Sequence, residues 1–375
     1  MATNSPPAKI GMPLEMVDTP ALLIDLDAFE HNLKKMADTV SKTGARLRPH
    51  AKTHKCPVIA LRQMAMGAVG VCCQKVTEAE AMVYGGVTNV LVTNEIVGRS
   101  KIERLASLAG QAKIGACADD PFHVREYGAV FQSSGVDLDV YVELDVGSGR
   151  CGVEPGEPVL DLARQIEESP GLRFAGLQAY HGAAQHLRTP AERKQAIEYS
   201  IDRVLKTKSV LKSNGISCET VTGAGTGTYR IEATSDVYDE LQAGSYIFMD
   251  VDYSKNLNKE GASVGEFRHS LFVYATVMSR PARDRAAVDA GHKAVPIDSG
   301  MPLVSGLPDV TYTRAADEHG KLLLSDPARD LKIGDKLKLI PGHCDPTANL
   351  YDWYVGIRNN HVEVIWPITA RGGMR

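Results

Sequence analysis

The chain has 375 residues, 43% of them hydrophobic and 23% charged, which is the composition of an ordinary globular protein long enough for two domains. Its net charge of −4 and its lack of a long apolar run give no basis for binding nucleic acid or for spanning or coating a membrane. Seven cysteines without disulfide-type spacing, and an N-terminus without an apolar leader segment, predict a cytoplasmic protein.

Apolar runs of strand length recur through the first two thirds of the chain and alternate with helix-like stretches. The clearest helix begins at Thr189, an N-cap residue with Pro190 at the first helical position and Glu192 completing a capping box, and it continues to about Ser213. The strand-like runs are Ala21–Leu26, Ala45–His50, Val69–Cys73, Val90–Asn94, Ile114–Ala118, Val140–Val146, Phe174–Tyr180, Thr220–Gly223 and Tyr238–Ser245.

Eight of these runs form a regular series once the first is set aside, because each but the last is followed by a helical stretch. Alternating strands and helices require a parallel sheet, and eight such units predict a closed (β/α)8 barrel over residues 27–255. An open doubly wound sheet is the alternative. The absence of a dinucleotide-type glycine turn after the first strand counts against it.

The pattern changes after about residue 255, where strand-like runs dominate. Gly334-Asp335 and Asn359-Asn360 read as hairpin turns between such runs. This predicts a C-terminal β domain over residues 256–375. The leading strand, residues 18–26, is assigned to this domain because the barrel already has eight strands without it.

Chemistry in a (β/α)8 barrel collects where the strands end, and three features lie at predicted strand ends. The first is Lys52 in "RPHAKTHK", a lysine that burial would keep neutral and ready for Schiff-base formation; Lys55 is expected to be solvated. The second is Arg150 in "DVGSGRCG". The third is a pair of turns, "TGAGTG" and "AGSY", whose backbone amides can hold a phosphate.

Pyridoxal phosphate is a cofactor that needs all three features: a lysine, a phosphate cradle and a group facing its pyridine nitrogen. Arg150 is the candidate for that last group. No lysine follows the glycines as in a Walker sequence, which disfavours a nucleoside triphosphate. Taken singly, each feature also has a structural explanation, as a solvated basic turn, a surface arginine or a simple glycine turn.

A second chemical motif is "PGHCDPT", residues 341–347. His343 and Asp345 are two residues apart and would point to the same side of an extended chain. An imidazole and a carboxylate suit a divalent cation, and only two visible protein ligands favour exchangeable Mn²⁺ or Mg²⁺ over structural zinc. His181 and His186, after the predicted sixth barrel strand, are candidate general bases.

These motifs also occur together in a known family. From about Asp18 to the C-terminus the chain resembles the D-threonine aldolase and D-3-hydroxyaspartate aldolase family, with D-serine dehydratase as a more distant relative. The resemblance implies a fold-type III pyridoxal phosphate enzyme, an alanine-racemase-like barrel plus a β domain that acts as a homodimer with a divalent metal. It is carried by "RPHAKTHK", "VCCQKV", "VTNEIV", "DVGSGRCGV", "QAYHGAAQH", "TGAGTG", "LQAGSYIFMD" and "PGHCDPTANLYDWYVGIR".

The resemblance also implies roles for individual residues. Lys52 would form the Schiff base, Arg150 would face the pyridine nitrogen, and Tyr180 would lie beside the cofactor with Gln74 nearby. His186 would lie near the substrate hydroxyl. The phosphate would be bound by Thr222, Gly223, Gly225, Thr226, Gly244, Ser245 and, more weakly, Tyr253, and the metal by His343 and Asp345.

One residue departs from the family pattern: Ala224 stands where the family often has the middle of three glycines. If the backbone at this position needs a positive φ, the alanine is strained.

The implied activity is cleavage of D-β-hydroxy-α-amino acids to glycine and an aldehyde, a lyase reaction. The proton acceptor is either His186 or a water at the metal. D-Threonine, D-allo-threonine, phenylserine and 3-hydroxy-D-aspartate are all possible substrates, and Arg188 or His292 are candidates to meet a second carboxylate. The alternatives are a dehydratase acting on D-serine or 3-hydroxyaspartate and a non-catalytic pyridoxal phosphate-binding protein. Asp345 favours the aldolase, because the dehydratases tend to have cysteine there, and the β domain argues against a simple carrier.

Overall fold

The structure, a computed structural model, describes residues 5–327 and 329–375. Strand β1 (Ala21–Asp25) and helix α1 (Leu26–Val40) come first. Eight parallel strands then form one sheet in the order β2-β9-β8-β7-β6-β5-β4-β3. These strands are β2 (Arg46–Leu47), β3 (Val71–Cys73), β4 (Asn89–Glu95), β5 (Lys113–Ala118), β6 (Leu138–Glu143), β7 (Leu172–Ala179), β8 (Val221–Gly223) and β9 (Glu240–Leu241).

The two ends of this sheet meet, which closes it into a barrel. His50 and Cys72 form a parallel bridge, and the amide of Cys72 donates to the carbonyl of Pro49 at 2.9 Å. Each strand corresponds to one of the eight predicted runs, in the predicted order, so the (β/α)8 barrel is confirmed. The last strand is only two residues long, shorter than the run Tyr238–Ser245.

Helices connect the barrel strands, and their first turns explain why they begin where they do. Helix α7 begins after Thr189, whose side-chain oxygen accepts from the amide of Glu192 at 3.3 Å, while the Glu192 carboxylate accepts from the amide of Thr189 at 3.0 Å. This is the predicted capping box. The helices are α2 (Pro57–Ala65), α3 (Val76–Tyr84), α4 (Arg99–Ala109), α5 (Pro121–Ser134), α6 (Glu157–Glu168), α7 (Pro190–Ser213), α8 (Tyr229–Ala233) and α9 (Val251–Ser254).

A second, mostly antiparallel sheet of nine strands contains β1 and the strands after residue 270. Strand β1 pairs antiparallel with β10 and parallel with β16, so the first strand of the chain lies between strands from its far end. The members besides β1 are β10 (Leu271–Ala282), β11 (Arg285–Val288), β12 (Leu303–Val304), β13 (Val310–Ala315), β14 (Gly320–Leu324), β15 (Lys336–Ile340), β16 (Trp353–Arg358) and β17 (His361–Pro367). Helix α10 (Cys344–Ala348) lies between β15 and β16.

The two predicted hairpin turns have different outcomes. Asn359 and Asn360, with φ of 50° and 58°, join the paired strands β16 and β17, as predicted. The prediction of a hairpin at Gly334-Asp335 is wrong, because β15 pairs with β10 and β12 and not with β14. The amide of Gly334 donates to Val277, and the amide of Val277 to Asp335, so this turn docks on β10.

The inside of the barrel is filled by small and aromatic side chains from alternate strand positions, among them Cys72, Cys117 and Tyr141, all buried. Burial raises the pKa of both thiols well above the ordinary range, so they act as core residues. Arg48 and Glu240 form a buried ion pair, with 2.6 Å between Nε and Oε2. Among the described residues, no helix has the length and apolarity needed to cross a bilayer.

Candidate active site

A cavity of about 190 Å³ lies where the carboxyl ends of the barrel strands meet the start of α10. Two of the predicted residues, Thr222 and Gly223, are not part of its lining. They lie within β8, where Thr222 accepts a hydrogen bond from Gln242 at 2.7 Å. The predicted residues that line the cavity are Lys52, Gln74, Arg150, Tyr180, His186, Gly225, Thr226, Gly244, Ser245, Tyr253, His343 and Asp345.

Lys52 is placed by a single 3-10 turn, Ala51–Thr53, that follows β2. Its Nζ lies 3.6 Å from Oδ2 of Asp345. Burial by itself would lower the pKa of Lys52, but the negative charge of Asp345 outweighs it and the pKa is raised. Sequence inspection did not place a carboxylate beside this amine, and the charge of this carboxylate, not burial, sets the direction in which the pKa of Lys52 shifts.

Lys55, three residues later, is buried and not solvated as expected. Its ammonium group pairs with the buried carboxylate of Glu78 on α3. The expectation of a solvated lysine is wrong because the backbone at Lys55 takes a positive φ of 52°, and its side chain lies in the interior rather than in solvent. The two lysines of "RPHAKTHK" are therefore one cavity residue and one structural residue.

His50 borders the cavity as a neutral group. Its Nε2 lies 3.2 Å from Oε1 of Gln74 and 3.1 Å from Oγ1 of Thr93, and its Nδ1 accepts from the amide of Lys52 at 3.4 Å. Burial, together with the nearby positive charge of Lys52, lowers the pKa of His50 to about 3. This ring fixes the turn that carries Lys52 without adding charge.

Arg150 lies on the loop that follows β6. Gly147 and Gly149 have positive φ of 115° and 59°, and both amides donate to one carboxylate oxygen of Asp145, which folds the loop back over the barrel. The guanidinium lies 3.7 Å from Oε1 of Glu143 and 6.0 Å from the ring centre of Tyr180. Arg150 is thus held over the cavity beside a tyrosine ring.

A carboxyl pair behind Arg150 was missed in the sequence. Glu95 and Glu143 end strands β4 and β6, and with Cys151 they bring their ligand atoms within 4.8 Å of one another, a set that could hold a metal ion. Burial and the neighbouring Glu95 raise the pKa of Glu143 to about 9. A proton on this pair and the nearby guanidinium already balance its charge. Two glutamates at strand ends were the available sequence signal.

The glycine-rich loop after β8 is packed so closely that side chains would not fit. A Cβ on Gly225 or Gly227 would collide with Gln185, whose side-chain carbonyl accepts from the amide of Gly227 at 3.0 Å. On the next loop, a Cβ on Gly244 would come within 2.7 Å of Oγ1 of Thr53. The glycines therefore leave bare backbone lining this side of the cavity, as a phosphate cradle requires.

Ala224 lies in this loop with φ of 69° and is buried. The suspected strain is confirmed, because an L-residue other than glycine in this region costs about 1–2 kcal/mol. Backbone strain of this kind persists where surrounding contacts impose it.

His343 and Asp345 both line the cavity, but not on an extended chain. His343 is the N-cap of α10 and Asp345 is in its first turn, because the buried carboxylate of Asp250 accepts from the amide of Cys344 at 3.0 Å and the chain turns into a helix there. Nδ1 of His343 lies 2.7 Å from Oδ2 of Asp298. Burial would lower the pKa of His343, but Asp345 and Asp298 raise it.

Asp298 is a second residue that sequence reasoning missed. A carboxylate on Nδ1 leaves Nε2 of His343 as the nitrogen able to bind a metal, the arrangement that commonly supports a metal-bound histidine. An imidazole, the Asp345 carboxylate and this supporting carboxylate make a donor set suited to a divalent cation.

The two candidate general bases are separated by the structure. His186 ends the 3-10 turn Ala183–His186 and lines the cavity, with its ring centre 5.3 Å from that of Tyr253. His181 is outside the lining, and its ring packs close to Gly147. Of the candidates for a second carboxylate, Arg188 is engaged by Asp252 at 2.5 Å, and His292 is an exposed residue outside the cavity lining.

Two family models match the chain in succession. The N-terminal domain of alanine racemase matches residues 24–252, and a serine dehydratase domain matches residues 270–357. With the amine of Lys52 and the glycine-rich loops at the carboxyl end of the barrel, these matches define an alanine-racemase-like pyridoxal phosphate enzyme.

Relatives of known activity narrow this class. The chain is 47% identical to a D-threonine aldolase from Arthrobacter sp., covering 99% of this chain and 97% of the relative, and 45% identical to a 3-hydroxy-D-aspartate aldolase from Paracoccus denitrificans, covering 98% and 95%. The crystal structure of D-threonine aldolase from Filomicrobium marinum superposes with a TM-score of 0.96 at 50% identity, covering 99% of this chain and all of that one. A D-threo-3-hydroxyaspartate dehydratase from Delftia sp. is only 28% identical. The chain belongs to the D-threonine aldolase and 3-hydroxy-D-aspartate aldolase family, whose members are lyases.

Proposed function

We propose that this chain is an aldolase dependent on pyridoxal phosphate and a divalent metal, which cleaves D-β-hydroxy-α-amino acids to glycine and an aldehyde. One observation carries the proposal: a single cavity brings together the amine of Lys52, the guanidinium of Arg150, two glycine-rich loops and the pair His343 and Asp345. The proposed substrates are D-threonine, D-allo-threonine, phenylserine and 3-hydroxy-D-aspartate.

The barrel side of the cavity would hold the cofactor. Pyridoxal phosphate, bound through Lys52, supplies an electron sink for the pair released when the Cα–Cβ bond breaks. Arg150, a permanent cation, would face the ring nitrogen and keep it unprotonated, and Tyr180 and Gln74 would lie beside the ring. The phosphate would be bound by Gly225, Thr226, Gly244, Ser245 and Tyr253, while Thr222 and Gly223 lie within β8, outside the cavity lining, and would support the loop that follows it.

The α10 side of the cavity, which adjoins Lys52, would hold the metal. His343, through Nε2, and Asp345 would bind Mn²⁺ or Mg²⁺, whose chemistry is to make the substrate's β-hydroxyl more acidic. His186 would accept the hydroxyl proton. As the β-carbon becomes a carbonyl, its bond to Cα breaks and the aldehyde leaves, and a proton returned to Cα gives glycine. Full activity in a His186→Ala variant would transfer the role of base to a water at the metal.

The test is a panel of D- and L-β-hydroxy-α-amino acids assayed for aldehyde, glycine and ammonia together. We expect aldehyde and glycine in equal amounts from D-isomers alone, lost on chelation and restored by Mn²⁺. Ammonia without glycine would mean a dehydratase. A yellow protein without any turnover would mean a non-catalytic pyridoxal phosphate-binding protein.

We further propose a cytoplasmic location, as the cysteine usage predicts, and a homodimer, as the family resemblance implies. The domain division is proposed as residues 27–255 for the barrel, and residues 256–375 with the strand segment 18–26 for the β domain. The pairing of β1 with β10 and β16 supports that assignment of the first strand. Light scattering should give the mass of two chains, and a monomer at working concentration would contradict the dimer.

A further inference from the structure

Asp252, a residue that the sequence motifs did not include, lies directly behind His186. Its Oδ2 lies 2.6 Å from Nδ1 of His186, and its Oδ1 lies 2.5 Å from Nη2 of Arg188. Only 10% of the Asp252 side chain is exposed. The two carboxylate oxygens therefore have separate partners, one of them a cavity residue.

The backbone holds Asp252 firmly in this place. Asp252 lies on α9, whose first turn is capped by Asp250, and its own amide donates to the carbonyl of Gly342 at 3.2 Å. The preceding amide, of Val251, donates to Pro341 at 3.1 Å. Asp252 is thus attached to the chain just before the metal-binding segment as well as to His186.

This contact decides which nitrogen of His186 carries the proton. An ionised carboxylate can only accept, so Nδ1 must be the protonated nitrogen, and Nε2 is left with a free lone pair. Burial would raise the pKa of Asp252, but the hydrogen bond from Arg188 and the nearby His186 lower it, which keeps the carboxylate ionised. Arg188 also donates to the carbonyl of Asp252 at 2.8 Å, so its guanidinium fixes the carboxylate's position.

We propose that Asp252 is a positioning residue for the reaction: it orients the His186 ring with Nε2 as proton acceptor and stabilises the imidazolium that forms. The proposal rests on the proposed function for the role of His186. In the step concerned, the proton of the substrate hydroxyl moves to Nε2 while the Nδ1 proton stays between His186 and Asp252. The histidine–aspartate pairs of hydrolases use the same division of labour.

The kinetic test is a double-mutant cycle with Asp252→Asn, His186→Ala and the combined variant, assayed as loaded enzyme. We expect Asp252→Asn to lower kcat by about 100-fold or more with KM changed less than about twofold, because an amide can select the wrong tautomer. If Asp252 acts through His186, the combined variant is no slower than His186→Ala alone. Losses that multiply, or an Asp252→Asn variant with more than half of wild-type kcat, would overturn the proposal.

A neighbouring lysine offers a matched control. Lys255 lies 3.8 Å from Oδ1 of Asp252, the carboxylate oxygen that faces away from His186. Lys255→Met should therefore leave kcat within about twofold of wild type, since Lys255 is half-exposed and lies farther from Asp252 than Arg188 does, and so long an ion pair contributes little. A loss as large as that of Asp252→Asn would mean that charge near Asp252 matters in general and would contradict a specific effect through His186.

A second measurement does not depend on turnover. ¹⁵N-histidine NMR of the loaded wild-type enzyme, with the His186 signals identified by their loss in His186→Gln, reports the protonated nitrogen directly. We expect a proton on Nδ1 and none on Nε2. A proton on Nε2 alone would overturn the proposal, even if Asp252→Asn fails to fold. If the tautomer is the expected one but the enzyme releases no glycine, the proposed function is overturned. The pairing of Asp252 with His186 then remains intact.

Discussion

The two sides of the cavity are built in different ways. On the barrel side, Lys52, Arg150 and the glycine-rich loops follow directly from strand ends, so neighbouring strands bring them together. On the other side, His343 and Asp345 stand at the start of α10, which Asp250 caps from almost a hundred residues earlier in the chain. The barrel side thus depends on local strand geometry, whereas the other side depends on contacts between distant segments.

The largest expected effect comes from removing the central amine of the barrel side. If Lys52 forms the covalent link to the cofactor as proposed, Lys52→Ala should abolish the yellow colour and lower turnover by about 10⁴-fold or more. Absorbance spectra and the glycine assay check both losses. A yellow variant with retained turnover would show that another residue forms the Schiff base.

Lys55 provides the contrast for Lys52 within the same motif. Lys55→Met leaves the buried carboxylate of Glu78 without its partner, which should lower the free energy of unfolding by about 3–5 kcal/mol. The folded fraction should still be yellow and active. Urea unfolding measures the first effect; equal stability to wild type would mean that the Lys55–Glu78 pair is not a structural one.

The next effect comes from removing Asp345, on the α10 side of the cavity. Asp345→Ala should lower activity by about 100-fold and remove the response to Mn²⁺, while the yellow colour persists, because the residues proposed to bind the metal differ from those proposed to bind the cofactor. Activity titrated against Mn²⁺ after chelation, alongside the spectrum, separates these effects. Asp161→Asn, an exposed carboxylate on α6, is the control. An unchanged Mn²⁺ titration in Asp345→Ala would refute the ligand assignment.

The difference between the two sides also explains what the sequence could predict. The barrel and the positions of Lys52 and Arg150 followed from alternating strands and helices, because function in this fold collects at strand ends. Asp298 and Asp252 carried no local signal: they pair with His343 and His186 from 45 and 66 positions away along the chain. The cap from Asp250 likewise turned a predicted extended segment into a helix.

A smaller effect concerns the barrel side: the proton on Glu143 should make stability depend on pH. Because burial and Glu95 raise the pKa of Glu143 from its ordinary 4.5 to about 9, the folded state holds a proton that the unfolded state releases. Stability is therefore full below pH 4.5 and falls as the pH rises towards 9, by at most about 1.4 kcal/mol per pH unit. Glu143→Gln, which imitates the protonated acid, should flatten this slope in urea unfolding at pH 6 and pH 8. Equal slopes would mean that Glu143 holds no such proton.

The smallest expected effect concerns Ala224, a residue other than glycine with a positive φ on the barrel side of the cavity. Ala224→Gly should raise the free energy of unfolding by about 1 kcal/mol, because glycine relieves the strain at φ of 69° at some cost in unfolded-state entropy. The matched control is Ala233→Gly in α8, where the backbone is helical and glycine should cost about 0.5–1 kcal/mol. Urea unfolding of both variants gives the comparison. Two destabilised variants would show that the loop tolerates alanine without strain. Opposite signs would show that this turn keeps its left-handed conformation against the preference of its own residue, as surrounding contacts can impose.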